Sequence, residues 1–307
     1  MTQEFADATV IITTKNRKDD LRKAVASALD QDARPGVLVI DDGSTDGAGE
    51  MIRAEFPTVQ LVRAEESLGY IVQRNRGASL AQTAVIVSID DDAAFSSPRV
   101  VSQTLAEFTD PRIAAVAIPY INIHQENVLR QSAPDERGIF VTASFVGTAH
   151  ALRRELFVRL GGYREFLFHQ GEEEDYCIRM LAAGYVVRLG RADPIHHFES
   201  PRRDRKRMDL YGRRNNVLFA WCNVPLVNLP GRLLAATLNG LRQGIRQRNM
   251  LRMMRGLMMG YAAIFRYWGE RSPVPVPAYR AFRRLGGRSS VQLSVAEHWL
   301  GPQPPAC

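Results

Sequence analysis

Short apolar runs alternate with segments of helical periodicity in the first third of the chain, and this alternation restricts the fold more than any other feature. The runs are rich in β-branched residues, as buried strands are, and lie at residues 8–13, 37–40, 59–62 and 85–89. Between them, Leu21, Val25 and Leu29 recur at helical spacing, and a second helical segment covers residues 69–81. Strands that alternate with helices predict an α/β fold, in which helices flank a mostly parallel, Rossmann-like central sheet.

Two of these strands end in carboxylates. Asp41 and Asp42 follow the second strand, and Asp90, Asp91 and Asp92 follow the fourth. In open α/β sheets, ligands bind outside the carboxyl ends of the strands. Three consecutive carboxylates repel one another, and Mg²⁺ or Mn²⁺ relieves that repulsion because these ions bind carboxylates together with phosphate oxygens. The triplet therefore predicts a divalent metal site for a nucleotide diphosphate, and a solvated acidic turn is the alternative.

The charge of the chain is unevenly distributed. Of its 307 residues, 45% are hydrophobic and 24% are charged, which excludes a disordered or fibrous protein. Residues 1–200 carry 21 Lys and Arg against 29 Asp and Glu, whereas residues 201–290 carry 19 against 3. An acidic body thus precedes a basic helical extension. The predicted domains are 1–222, with a nucleotide-binding half at about 1–97 and an acceptor half at about 98–222, and the extension 223–307.

A set of motifs occurs in a fixed order along the acidic body. The motifs lie at residues 10–17, 39–46, 68–69, 74–78, 89–92, 161–163, 172–179, 183–185 and 195–197. Together they resemble family 2 glycosyltransferases over about residues 8–222. The resemblance implies a GT-A fold and an inverting transfer of a hexosyl group to an acceptor hydroxyl. The donor would be a nucleotide sugar carrying UDP, GDP or dTDP.

The resemblance also implies roles for residues at the strand ends. Thr13 and Asp41 match positions that line the nucleobase and ribose, and Arg74 matches a nucleotide-contacting position. For Asp42, a cap of the following helix is an equally good explanation. The predicted nucleotide-sugar-binding residues are Thr13, Asp41, Asp42, Arg74, Asp90 and Asp91.

The predicted metal ligands are Asp92, Asp90 and His197. Asp90 and Asp92 share a side of the strand, and a neutral imidazole can complete an octahedral shell. His197 matches a histidine that in the family often reaches the metal or diphosphate, and His196 is kept as the alternative.

The resemblance places a catalytic base at the start of a helix near residues 173–183. Inverting transfer needs a group that takes the proton of the incoming hydroxyl. Glu173 aligns with the base position, where the family usually has Asp, so the reach is longer by one methylene. Glu172 and Asp175 are alternatives, although an i,i+4 pair with Arg179 favours a structural role for Asp175.

In the extension, arginines occur between apolar residues at spacings typical of amphipathic helices. Such helices bind anionic membrane surfaces, and packing on the catalytic domain with a solvated Arg face is the alternative. Nucleic acid is not an expected partner. A membrane surface suits a glycan or lipid-linked acceptor, as in the assembly of bacterial surface polysaccharide or glycolipid.

The sequence predicts a cytoplasmic protein, attached peripherally to the inner face of the cell membrane. The first residues lack the basic and apolar pattern of a secretory signal. The purest apolar run, residues 256–265, is shorter than a membrane span. The three cysteines lie far apart in sequence and suggest a reducing compartment.

Two other functions are compatible with such a fold. A nucleotidyltransferase would use similar carboxylates and metal, but it usually opens with a glycine-rich loop, and residues 13–17 contain no glycine. A non-catalytic protein that binds a membrane surface is the second alternative.

Overall fold

The computed structural model describes residues 8–125, 127–199, 204–288 and 290–301. Its strands are β1 (Ala8–Thr14), β2 (Gly36–Asp41), β3 (Gln60–Arg63), β4 (Val85–Asp90), β5 (Ala93–Phe95), β6 (Ile113–Ala117), β7 (Tyr120–Asn122), β8 (Leu129–Arg130), β9 (Phe140–Thr142), β10 (Ala149–Arg153), β11 (Val186–Leu189), β12 (Ile195–His197) and β13 (Val291–Gln292). Its α-helices are α1 (Lys18–Leu29), α2 (Ala48–Glu55), α3 (Tyr70–Leu80), α4 (Val100–Leu105), α5 (Arg154–Arg159), α6 (Glu172–Ala182), α7 (Arg205–Asn223), α8 (Leu229–Arg246), α9 (Met250–Arg266), α10 (Val276–Gly286) and α11 (Leu293–Ala296).

The central sheet has the order β13-β9-β11-β6-β10-β4-β1-β2-β3. The four strands predicted from the apolar runs are its neighbours β4, β1, β2 and β3, and all three pairings between them are parallel. Strands β9 and β10 run against their neighbours. The predicted α/β fold with a mostly parallel sheet is confirmed.

Helices cover the sheet closely because small residues face it. A Cβ at Gly77 of α3 would lie only 2.7 Å from Cγ2 of Ile11 in β1. Helix α1 was also predicted from the spacing of its apolar residues, and its side chains Leu21, Ala24 and Val25 are fully buried. The apolar periodicity therefore identifies the faces that form the core, except at Leu29, whose side chain at the end of α1 is exposed.

A second, four-stranded sheet has the order β5-β12-β7-β8. Its strand β5 directly follows the aspartate triplet in the sequence. Strand β12 runs antiparallel to β5 and pairs His197 with Ala93, the residue that follows Asp92. The backbone N–H of Phe198 donates to the carbonyl of Asp92 over 2.8 Å. This register is the reason that His197 and Asp92 are neighbours.

The helices of the extension pack on one another and on the sheet domain. Helix α9 approaches α7 through glycines, since a Cβ at Gly256 would lie 2.7 Å from the carbonyl oxygen of Leu210. Helix α10 contacts α6, and β13 pairs with β9 at the edge of the central sheet. Among the described helices, none has the length and apolar character needed to cross a membrane.

Candidate active site

A cleft of about 810 Å³ lies where β1, β2 and β4 end and α6 begins. Its wall contains most of the residues that the sequence singles out, together with the loop before β10 and the start of α7. The predicted residues that line it are Thr13, Asp42, Arg74, Asp90, Asp91, Asp92, Glu172, Glu173 and His197.

Within the triplet, the three carboxylates have different partners. Asp91 is buried, and Thr14 Oγ1 donates to its Oδ2 over 2.8 Å. Burial raises the pKa of Asp91 to about 7, against the opposing effect of the Arg17 charge. Burial also raises the pKa of Asp92, but hydrogen bonds and charges from His197 and Arg17 outweigh it and lower the pKa overall. Asp92 therefore stays ionised under conditions where Asp91 can take up a proton.

Arg17 is a site residue that the sequence analysis did not single out. Its Nη1 donates to Asp92 Oδ2 over 2.6 Å and to Asp91 Oδ1 over 3.1 Å. Only about a third of its side chain is exposed, so these ion pairs are partly shielded from water. Asp91 and Asp92 lie 74 and 75 residues after Arg17 in the sequence, so no local sequence pattern identifies these contacts.

Asp90, Asp92 and His197 form the one group among the described residues that offers a metal several protein ligands. Each contributes one ligand atom, and these atoms lie within 4.8 Å of one another. Arg17 holds Oδ2 of Asp92, while Oδ1 of Asp92 faces His197 Nε2 over 3.3 Å. Two carboxylates and an imidazole fit a divalent ion such as Mn²⁺.

Asn122 orients the ring of His197. Its Oδ1 lies 2.7 Å from His197 Nδ1, and its Nδ2 donates to Gln125 Oε1 over 3.4 Å. With Nδ1–H donating to Asn122, a protonated ring donates from Nε2 to Asp92, and a neutral ring presents the lone pair of Nε2 on that side. His196 precedes His197 in β12, so its side chain projects from the opposite face of that strand.

Arg74 connects the aspartates to the glutamates. From a buried position on α3, its Nη2 donates to Asp90 Oδ1 over 2.6 Å, and its Nη1 lies 3.3 Å from Glu172 Oε1 and 3.9 Å from Glu173 Oε1. Its guanidinium also lies 4.9 Å from the ring centroid of Tyr70. One cation thus lies between the two groups of carboxylates.

The two glutamates at the start of α6 differ in exposure. The Glu172 side chain is 1% exposed, whereas the Glu173 side chain is 21% exposed. Burial raises the pKa of both side chains, and the charge of Glu173 raises the pKa of Glu172 further. The charge of Arg74 acts in the opposite direction on both pKa values. Glu173 is the one of the two whose carboxylate can reach a ligand in the cleft.

Gly147 lets Arg74 and Glu173 approach the loop before β10. A Cβ at this position would lie 2.4 Å from Glu173 Oε1 and 2.7 Å from Arg74 Nη1. Arg74 Nη2 also donates to the Gly147 carbonyl over 3.2 Å.

Asp41 and Asp42 both stabilise loops. Asp42 lines the cleft, and its carboxylate accepts hydrogen bonds from Ser67 and Gln73 and from the backbone before α3. Although burial raises its pKa, these bonds lower it overall. Asp41 is 1% exposed, accepts from the Ser44 N–H over 2.8 Å and does not belong to the cleft wall. A ligand contact by Asp41 stays a prediction.

Asp175 has the structural role that its spacing indicates. The carboxylate is buried and pairs with Arg179 over 3.1 Å and with Arg164 over 2.7 Å. Asn223 of α7 donates to it over 2.7 Å. Asp175 therefore joins α6 to α7 and does not line the cleft.

Comparisons with known proteins indicate the family of the chain. Residues 9–164, half of the chain, match the family described as Glycosyl transferase family 2. The Succinoglycan biosynthesis protein ExoU of Rhizobium meliloti is 32% identical in an alignment of 200 residues that covers 58% of this chain and 58% of its own. The Pre-mycofactocin glycosyltransferase of Mycobacterium tuberculosis is 27% identical over 59% of this chain and 40% of its own. The chain thus spans less than two thirds of these relatives.

Solved structures agree on the fold. The mannosyltransferase PcManGT from Pyrobaculum calidifontis, solved with GDP-Man and Mn²⁺, superposes with a TM-score of 0.59 at 21% identity, over 92% of this chain and 80% of its own. This likeness confirms the predicted GT-A fold. With the family match over half of its length, the chain belongs to glycosyl transferase family 2.

Proposed function

We propose that the protein transfers a sugar, with inversion and with a divalent metal, from a nucleotide sugar to an acceptor hydroxyl. The observation that carries this proposal is the shared cleft: Glu173 and the Asp90–Asp92–His197 cluster line the same cavity, and Arg74 lies between them. The relative ExoU is named for succinoglycan biosynthesis, which supports a role in assembling bacterial surface polysaccharide or glycolipid.

Glu173 is the proposed general base. Inverting transfer is an in-line displacement, in which the acceptor oxygen bonds to the anomeric carbon as the bond to the diphosphate breaks. The hydroxyl proton then passes to the Glu173 carboxylate, which the cleft leaves partly exposed. Glu172 is too buried to meet the acceptor, and its contact with Arg74 makes it a positioning residue.

Asp90, Asp92 and His197 would hold the metal, Mn²⁺ or Mg²⁺. The ion would supply positive charge next to the departing diphosphate. Arg17 keeps Asp92 ionised and oriented, because it pairs with the oxygen that does not face His197. Asn122 keeps the ring of His197 in position.

The nucleotide is proposed to lie along the ends of β1 and β2. Thr13 and Asp42 line the cleft there, and Arg74 supplies a cation near Asp90. Asp41 lies behind this wall, and Asp91 contributes charge next to the metal ligands. UDP, GDP and dTDP are the candidate nucleotides, and the acceptor would be a glycan or a lipid-linked sugar.

The proposal is tested by thermal shift and by donor turnover. The full chain is heated with UDP, GDP or dTDP sugars, with and without Mn²⁺, since a ligand at 100 times its dissociation constant adds about 2.7 kcal/mol of stability. One nucleotide class should raise the melting temperature only when metal is present. A shift that is equal without metal would contradict the metal assignment.

Hydrolysis of the donor, with water as acceptor, then tests the base. Glu173→Gln should leave the metal-dependent thermal shift intact and slow release of the nucleotide by about 10²-fold or more. Glu155→Gln, an exposed carboxylate on α5, is the matched control and should change neither readout. A fully active Glu173→Gln variant would remove Glu173 from the mechanism.

A further inference from the structure

The hairpin formed by α8 and α9 carries large apolar side chains that face solvent. Buried apolar residues on each helix face its neighbours, as expected, but a second row lies outside the core. The side chains in this row are between 49% and 84% exposed, and we call them the apolar ridge: Leu234, Leu238, Ile245, Leu251, Met258 and Phe265.

The two helices run side by side in opposite directions. Thr237 Oγ1 and Tyr261 Oη are 2.7 Å apart, and a Cβ at Gly240 would lie 3.0 Å from Leu257 Cδ1. At the far end, a Cβ at Gly244 would lie 3.1 Å from Met250 Cα. These contacts set the register of the hairpin, so that the ridge residues of α8 and α9 lie next to one another along its whole length.

The ridge occupies one side of the hairpin, opposite α7. At 3.6 residues per turn, Leu234, Leu238 and Ile245 fall on one side of α8, and the small residues that face the core fall on another. On α9, Gly256 and Gly260 face α7, and the exposed residues lie away from them. The hairpin is therefore fixed to the protein by one face and presents a continuous apolar face on the other.

The charge around the ridge has a single sign. Residues 224–268 contain seven arginines and no aspartate or glutamate. By the same helical geometry, Arg242 and Arg246 lie on the outer flank of α8, and Arg255 and Arg266 lie on the outer flank of α9. An apolar strip with cations along both edges has the charge and polarity pattern of a surface that binds anionic lipid.

We propose that the apolar ridge docks on an anionic lipid bilayer, lying in the plane of its surface. The apolar side chains would enter the boundary between headgroups and acyl chains, and the flanking arginines would meet lipid phosphates. A second copy of the chain is a poorer occupant, because an isologous interface would bring two sets of arginines together without acidic partners.

The ridge is also connected to the cleft. Helix α7, which α9 covers, begins at the cleft, where Asp204, Arg207 and Met208 form part of the wall. Arg252 of α9 pairs with Asp209 of α7 over 3.1 Å, close to that end. Docking would place the cleft near a membrane-borne acceptor, which deepens the proposed function, although lipid binding itself does not depend on sugar transfer.

Co-sedimentation with vesicles tests the proposal. The full chain should bind vesicles of phosphatidylcholine mixed with phosphatidylglycerol and should bind pure phosphatidylcholine vesicles at least tenfold more weakly. Replacing Leu251 and Phe265 by Asn removes two of the most exposed ridge side chains and should weaken binding at least tenfold. Replacing Arg242 and Arg246 by Gln should have an effect of similar size and should reduce the salt dependence of binding.

Matched controls use exposed residues outside the ridge. Val158→Asn with Val295→Asn should leave binding unchanged, as should Arg53→Gln, and melting temperatures show that every variant is folded. Equal binding of both vesicle types, or full binding by the Leu251 and Phe265 variant, would overturn the proposal. The ridge would instead be assigned to a protein interface if the protein forms a dimer in lipid-free solution, if this variant dissociates that dimer, and if no vesicles are bound. Donor hydrolysis measured without lipid separates failure of docking from failure of the catalytic assignment.

Discussion

Arg74 and Asp90 are joined by a 2.6 Å hydrogen bond inside the cleft, and the same guanidinium lies 3.9 Å from Glu173. Because Arg74 is buried, its charge acts on both carboxylates with little screening by solvent. The proposed metal ligand and the proposed base are thus positioned by a single side chain.

Arg74→Lys should therefore impair catalysis more than binding of metal. Lysine keeps the charge but cannot donate to Asp90 and the glutamates at once. We expect kcat, measured by nucleotide release, to fall at least tenfold, with a much smaller change in the Mn²⁺ concentration that gives half-maximal activity. Arg76→Lys, on the exposed side of α3, is the control and should match the wild type. An equal loss in both variants would show that α3 is merely sensitive to substitution.

The pH profile of the activity should have an acidic limb, and the midpoint of that limb should lie above the ordinary pKa of a glutamate. Burial raises the pKa of Glu173, and only the carboxylate form can accept the proton. Activity should thus be absent at low pH and rise as the pH passes through that raised pKa, which a pH profile of kcat measures. Glu173→Gln should lower kcat by about 10²-fold or more and remove the acidic limb of the residual rate. A profile that stays flat down to pH 4 in the wild type would contradict the assignment.

Gly147→Ala should disturb the site while the fold persists. The new methyl group would lie 2.4 Å from Glu173 Oε1, so that the carboxylate and Arg74 must both move. We expect kcat to fall at least tenfold, with the thermal shift by donor and Mn²⁺ retained. Gly36→Ala provides the comparison, because a Cβ there meets its nearest atom at 3.6 Å, an ordinary contact. Normal activity of the Gly147 variant would mean that Glu173 does not need its present position.

Asn122→Ala should weaken the metal site without removing a ligand. Loss of the 2.7 Å contact to Nδ1 frees the ring of His197 to rotate, and losses of this kind typically cost about 10–100-fold in metal affinity. Titration of Mn²⁺ against activity or by calorimetry measures the change. His196→Ala should leave the affinity unaltered, since His196 projects from the other face of β12. Equal affinities in the wild type and the Asn122 variant would remove His197 from the ligand set.

Asp175→Ala should reduce stability. The substitution leaves Arg164 and Arg179 without their shared carboxylate, and breaking a buried ion pair typically costs about 3–5 kcal/mol. Denaturant unfolding measures the loss. Donor affinity of the folded fraction should not change, because Asp175 lies outside the cleft wall. A stable but inactive variant would instead revive Asp175 as a candidate base.

The sequence predicted those parts of the site that local patterns determine. The strand runs located β1, β2 and β4, and with them the carboxylates at their ends, because strand position and side-chain parity are local properties. The ordered motifs added α6 and β12, which explains why Glu173 and His197 could be predicted as site residues before the fold was known.

Features that depend on tertiary contacts were missed or left open. The pairing of Arg17 with Asp92 joins residues far apart in sequence, and no local pattern specifies it. The same is true of the difference in exposure between Glu172 and Glu173, which neighbouring elements create. The choice between His196 and His197 required the register of β12 against β5.

The pairing of β13 with β9 has a consequence for how this chain can be divided. The part of the chain from α7 onward is anchored at both ends, by α7 against α6 and by β13 in the sheet itself. A protein shortened to residues 1–222 would leave the backbone of β9 without its outer partner and would expose the faces of α6 and α7 that the later helices cover. The sheet domain and the C-terminal helices are thus not independent modules that can be exchanged, since each supplies part of the other's interior.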